Sequence, residues 1–181
     1  MIPGNDDWCD LIEQQYKEKA HKFMRYATKK EPFMFDKAKL LSYTEGIPDG
    51  YSLQKIDEYL YEKIKNTKWL KELCSQFPSY RDFEKRGLGF VIVHGEKPVS
   101  GASSYTIYDK GIEIEIDTEE DYRRMGLGLA AASKLILTCL ENGKYPSWDA
   151  ANKESLKLSE KLGYHFDREY PAYAVTGFRS P

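Results

Sequence analysis

Six residues, Ile112-Glu113-Ile114-Glu115-Ile116-Asp117, alternate strictly between apolar and acidic. A period of two belongs to a strand with one face against a core and one face away from it; an amphipathic helix repeats every three to four residues instead. The stretch that follows narrows the possibilities further. Arg123-Arg124-Met125-Gly126-Leu127-Gly128 lies between this strand and an Ala- and Leu-rich run, 126–140, that reads as a helix ending near Asn142-Gly143. Glycines let the backbone turn closely around a ligand, and the first amides of a helix have no partner inside it. Those amides and the helix dipole attract phosphate, and two neighbouring arginines add charge-assisted bonds. Strand, loop and helix therefore predict an anion site that suits a pyrophosphate.

The flanking sequence supplies more strands. Leu88–His94 and Val99–Tyr108 are rich in strand formers and are joined by Gly95-Glu96-Lys97-Pro98, while Asp109-Lys110-Gly111 is a second tight turn. Three successive antiparallel strands result. Before them, Tyr51–Ile56 reads as a short strand, Asp57 as the cap of a helix with Leu60 and Ile64 on one face, and Trp69–Cys74 as further helical spacing up to Pro78. Between residues 7 and 26, Trp8, Leu11, Ile12, Tyr16, Phe23 and Tyr26 recur at helical intervals, which predicts one or two amphipathic helices ended by Pro32. Asp36 caps a short helix through Leu40 and Leu41, and the turn-rich segment 46–50 divides an N-terminal helical extension, 1–47, from a main domain, 48–181. Downstream, 146–150 is a short strand, and Asn152 caps a helix with Leu158 and Leu162 inward and Gly163 just past its end. Residues 164–170 and 172–176 make two strands around Pro171. The expected fold is α/β, a mixed and mostly antiparallel sheet flanked by helices.

Charge and composition exclude several classes of function. The 181 residues carry 27 Lys+Arg and 29 Asp+Glu, with no long run of one sign, so neither nucleic acid nor an anionic membrane is an expected partner. No basic and apolar leader opens the chain, and no apolar stretch approaches the roughly 20 residues that span a bilayer. Cys9, Cys74 and Cys139 are too few and too far apart for a disulfide framework, and His21, His94 and His165 are equally scattered. A cytoplasmic protein without a metal is expected, as monomer or homodimer.

Arg123-x-x-Gly126-x-Gly128 resembles the pyrophosphate motif of the GNAT acetyltransferases, and Asn152-x-x-Ser155-x-x-Leu158-x-x-Lys161-Leu162-Gly163-Tyr164 resembles their second conserved segment. The two stand in the family's order and cover 112–164. Trp148–Asn152 and the N-terminal extension resemble the branch that includes zwittermicin-resistance acetyltransferases. The resemblance implies acetyl-CoA as cosubstrate, with its pantetheine arm between the strand at 112–118 and that at 146–150. Backbone groups of Ile116 and Thr118 would hold the thioester and pantetheine. Arg123 and Arg124, with the amides of Met125, Gly126, Leu127 and Gly128, would hold the pyrophosphate. Asp117, Asn152 and Ser155 complete the implied coenzyme set. Where many relatives carry a tyrosine that protonates the leaving thiolate, this chain has Ser159.

Acyl transfer to an amine also needs a base, because a protonated amine has no lone pair to attack with. Glu113 and Glu115, on the acidic face of the strand, are the candidates for that catalytic role. Trp148 and Asp149 are candidates for the acceptor, Asp149 through its charge. Either Tyr164 or Tyr173 substitutes as the acid, or the thiolate leaves unassisted, since a thiol with a pKa near ~8.5 is a tolerable leaving group. Two other readings compete. Gly126-x-Gly128-x-x-Ala131 with Asp149 about 20 residues on also satisfies a dinucleotide fingerprint, although the strand before it alternates and a charged loop intervenes. A non-catalytic acyl-CoA-binding module is the third.

Overall fold

The structure, a computed structural model, describes residues 1–31 and 33–177. Pro32, expected to end the first helical stretch, lies outside the described residues. The contacts divide the chain into two compact units, neither bounded at residue 47. One comprises Lys30–Trp148 with Leu162–Tyr164, the other Met1–Lys29, Asp149–Lys161 and the stretch from His165 onward.

The larger unit is built on five strands, β2 (Tyr51–Lys55), β3 (Gly89–His94), β4 (Lys97–Tyr108), β5 (Gly111–Thr118) and β6 (Tyr145–Ser147), in the order β2-β3-β4-β5-β6. The first three ladders are antiparallel, as the hairpin signals predict, and β5 pairs with β6 in parallel. This mixed, mostly antiparallel sheet is the expected fold; a dinucleotide fold would have set its glycine loop after a strand with parallel neighbours. Helices α2 (Lys37–Glu45), α3 (Glu58–Lys65), α4 (Tyr80–Arg86) and α5 (Leu127–Glu141) cover it. Asp36 and Asp57 cap α2 and α3, accepting from the amides of Lys39 and Leu60 at 3.0 and 2.9 Å. A 3₁₀ turn, Lys71–Cys74, replaces the longer helix that the spacing from Trp69 suggests.

Period two places the two sides of the core. A Cβ at Gly128 of α5 would meet Thr118 and Ile116 side chains, and one at Gly101 would meet Leu73 of the 3₁₀ turn. Gly101 is the register partner of Asp117, so α5 covers the isoleucine face of β5 and the 3₁₀ turn lies on the acidic face. Ala131, Leu135 and Ile136 of α5 are fully buried, as are Ile64, Leu70 and Cys74 on the other side.

The smaller unit contains α1 (Asp6–Tyr16), β1 (Ala20–Thr28), β7 (Asp149–Ala150), α6 (Lys153–Leu162, its last residue in the larger unit) and β8 (Phe166–Val175). Its three-stranded sheet has the order β7-β1-β8. Two expectations fail here. The helix read through Tyr26 stops at Tyr16, because residues 20–28 form β1, antiparallel to β8. The two strands expected around Pro171 are one continuous β8. Proline is tolerated because β8 is an edge strand, and Pro171 lies opposite Met24 with no ladder needed on its other side.

Among the described residues, no helix is long and apolar enough to cross a membrane, and no group of three or more His, Cys, Asp or Glu is placed to hold a metal ion. All three cysteines are buried thiols, and burial pushes those of Cys74 and Cys139 up to about 12.

Candidate active site

The glycine loop opens onto α5. Helices α1 to α4 and α6 each begin with an Asn, Asp or Ser side chain that accepts from a first-turn amide, whereas Gly126 caps α5 without one. Ala130 is the first residue of α5 whose amide reaches back to Gly126, at 3.0 Å, so the preceding amides have no ladder partner. Arg124 and Gly126 both adopt left-handed φ, 64° and 80°, and nothing lies within 4 Å of a Cβ built on Gly126. Alternation of handedness in a short loop turns successive N–H groups toward one concavity, an arrangement that binds anions. Gly128 is tighter: a Cβ there would stand 3.1 Å from Thr118 Oγ1. Arg123 folds its guanidinium back onto the Thr118 carbonyl at 3.2 Å, Leu127 is buried, and Met125 is 38% exposed beneath the Tyr51 hydroxyl.

Beside this loop the central strands separate. The β5–β6 ladder consists of Gly111, Ile112 and Glu113 opposite Tyr145, Pro146 and Ser147, while β5 continues five residues further to Thr118. Glu119 donates to the Val99 carbonyl of β4 at 3.0 Å, and the Lys110 carbonyl accepts from Tyr145 on the β6 side at 2.8 Å. Backbone groups of an extended chain alternate in direction, so those of Ile114, Ile116 and Thr118 point away from β4, beyond the end of β6. Those of Ile114 and Ile116 are donors and acceptors suited to an extended ligand, while the Thr118 carbonyl already accepts from Arg123 Nε. The Thr118 amide is met by Asp117 Oδ1 at 2.8 Å, and burial raises the Asp117 pKa. Ser100 Oγ joins Thr118 Oγ1 at 2.7 Å.

Glu113 and Glu115 are half-buried on the acidic face with Asp117, as the alternation requires, and Glu115 is the register partner of the buried Ser103. Trp148, 5% exposed, packs against Tyr164 with ring centroids 5.6 Å apart. In the smaller unit, Asp149 accepts from Arg25 Nε at 3.2 Å and from the Tyr170 hydroxyl. Asn152 spends its side chain capping α6, accepting from the Ser155 amide at 2.8 Å.

The hydroxyls considered as acids differ sharply. Ser159 is fully buried and donates to the Leu156 carbonyl at 2.8 Å. Tyr164 is buried, donates to the Pro146 carbonyl at 2.6 Å, and is pushed well above the ordinary phenol range by that burial. Tyr173 donates to Glu13, and burial followed by that bond raises it to about 12. Sequence reasoning did not single out Tyr108 or Ser147, whose hydroxyls meet at 2.8 Å where β5 and β6 part. A glycine at 111, closing a tight turn just before an alternating strand, was the one local signal.

Comparison with known proteins agrees with this geometry. A curated relative, "Uncharacterized N-acetyltransferase YdfB" of Bacillus subtilis (strain 168), is 30% identical over 177 residues, and the chain spans 96% of itself and 64% of that protein's length. A solved GCN5-related N-acetyltransferase-like protein from Streptococcus suis 89/1591 superposes with a TM-score of 0.93 at 46% identity, over 96% of this chain and 70% of that one. A GCN5-related N-acetyltransferase from Kribbella flavida shares the fold, with a TM-score of 0.63 at 18% identity over 97% of this chain and 65% of that one. The family profile described as GNAT acetyltransferase matches residues 1–173, and the chain therefore belongs to the GNAT acetyltransferase family.

Proposed function

We propose that this chain is an acetyl-CoA-dependent N-acetyltransferase, moving an acetyl group to the amine of a small molecule or peptide by direct transfer within a ternary complex. The observation that carries this is the uncapped start of α5, preceded by two left-handed residues and set beside strands that separate after Glu113. The cradle suits a pyrophosphate: its glycine is open where a Cβ would intrude, and two arginines flank it.

In this reading Arg123, Arg124 and the amides of Met125–Gly128 hold the pyrophosphate, and the outward backbone groups of Ile116 and Thr118 hold the pantetheine and thioester. One such amide, set where negative charge develops on the carbonyl oxygen, lowers the barrier by about 3 kcal/mol. Glu113 or Glu115 takes the proton of the amine, directly or through a water. Asn152 and Ser155 form the α6 terminus that the family's second segment provides. Trp148 and Asp149 are the acceptor-side candidates, and Asp149 is the more suited to a cationic amine.

Thermal-shift titration with acetyl-CoA and with NAD, followed by a thiol-release assay over a panel of amines, tests the proposal. Acetyl-CoA at 100 times its Kd should stabilise the fold by about 2.7 kcal/mol, and thiol should appear with at least one amine. Stabilisation by NAD alone would overturn the reading. Binding of acetyl-CoA without thiol release from any amine would make the chain a non-catalytic acyl-CoA-binding module.

A further inference from the structure

At the point where β5 and β6 part, three strands bring polar groups together within the larger unit. Tyr108, the last residue of β4, is the register partner of Gly111 on β5, and Gly111 is the partner of Tyr145 on β6. A Cβ at position 111 would collide with the Tyr108 hydroxyl and the Tyr145 carbonyl, so the Tyr108 ring lies across β5 over a bare position. Its hydroxyl thereby reaches β6 and bonds Ser147 Oγ at 2.8 Å. Ser147 is the partner of Glu113, the last pair before the strands separate.

Register partners and alternate residues share a face, so Tyr108, Ser147 and Glu113 stand on the same side of the sheet at this apex. A bulge in β4 between Ser104 and Thr106, opposite the 113–114 stretch, sets that alignment. As a residue Tyr108 is 38% exposed, and its hydroxyl meets that of the buried Ser147 where the two strands part, whereas Tyr164 is buried whole. The Lys30 ammonium stands 5.8 Å from the centre of its ring.

We propose that Tyr108 is a catalytic residue of the acyl transfer, its hydroxyl protonating the departing thiolate, and that Ser147 is the positioning residue that aims it. This rests on the acetyl-transfer reading above. The amine nitrogen forms the new C–N bond and loses a proton to the glutamate. The C–S bond breaks, sulfur keeps both electrons, and the Tyr108 proton passes to it. The phenolate that remains is stabilised by the Ser147 O–H donating to it and by the Lys30 ammonium, and the proton on the glutamate returns to it through solvent. The net products are amide and free thiol.

The test is steady-state kinetics of Tyr108→Phe and Ser147→Ala with acetyl-CoA and an amine accepted by the unaltered enzyme. Tyr108→Phe should keep its circular dichroism and its acetyl-CoA affinity, lose about 10²-fold in kcat, and lose the basic limb of the kcat–pH profile. The loss should shrink with an acetyl thioester of a more acidic thiol, which leaves more easily without help. Ser147→Ala should lower kcat less and move the limb without removing it. Should Tyr108→Phe fail to fold, a fluorinated tyrosine at position 108, with its more acidic phenol, must shift the limb to lower pH. Full kcat across the profile, an equal loss with both thioesters, or a limb that stays in place overturns the inference. Absence of thiol release by the unaltered enzyme overturns the acetyl-transfer reading instead.

Discussion

Arg124 and Lys17 are the two non-glycine residues with positive φ among those described. Lys17 ends α1, where its amide still reaches the Glu13 carbonyl, but Arg124 lies within a loop, where a left-handed side chain costs of order 1 kcal/mol and persists only if the surroundings impose it. Strain of this kind sets the loop that we propose as the anion cradle apart independently of its glycines. Gly126→Asp and Gly128→Asp should each weaken acetyl-CoA binding by about 100-fold. A carboxylate would enter the cradle in both; a strained φ would add to the first and contact with Thr118 to the second. Calorimetry, with circular dichroism on the same samples, checks this, and undiminished affinity in either variant removes the loop from the site. For the base, Glu113→Gln and Glu115→Gln separate the candidates. The variant at the true base should lose ~10²–10⁴-fold in kcat at neutral pH, lose less at high pH where more amine is neutral, and keep its acetyl-CoA affinity. If both keep the parent kcat at every pH, the proton leaves by another route. The loop that we propose holds the pyrophosphate was legible in the sequence because Arg123 to Gly128 are contiguous. Tyr108 and Ser147 were not, since they meet across 39 positions through a strand whose neighbours no local pattern names.

Elements that depend on short-range chemistry were equally readable. Asp36, Asp57 and Asn152 cap the helices assigned to them, because each side chain bonds an amide only three residues away. β5 was readable because its alternation survives in any register. β1 was not: Phe23 and Tyr26 fit a helix as well as a strand, and what decides is β8, some 150 residues along the chain. Such pairing overrides local periodicity. One titration belongs to this scale. Burial raises the pKa of Asp117 in the folded strand, so ionising it costs more folded than unfolded. Its contribution is therefore most favourable below the ordinary aspartate range and is lost as pH rises through the raised folded pKa. Asp117→Asn keeps an acceptor for the Thr118 amide and removes the ionisation. Melting temperatures from pH 3 to 7 should show the parent protein losing ground to the variant as pH rises; parallel curves would mean that Asp117 titrates as it does unfolded.

On the scale of the whole molecule, β1 is the central strand of the smaller sheet, with β7 on one side and β8 on the other. A truncated chain beginning at residue 48 lacks that strand and also α2, which packs on α5. It should unfold without a cooperative transition and be cut readily by protease between 149 and 177. A sharp melt with the protection of the full chain would instead establish 48–181 as an autonomous domain. The same arrangement orders events during synthesis. At ~5–20 residues per second the ribosome delivers β8 on the order of ten seconds after β1, and the intervening chain can complete the five-stranded sheet in that time. Throughout that interval β1 exposes unpaired strand edges that match β8, including the β8 of another nascent copy on the same message. Slow translation or crowded polysomes would thus favour an exchange of strands between molecules, a hazard set by the position of one strand in the gene rather than by the stability of the finished fold.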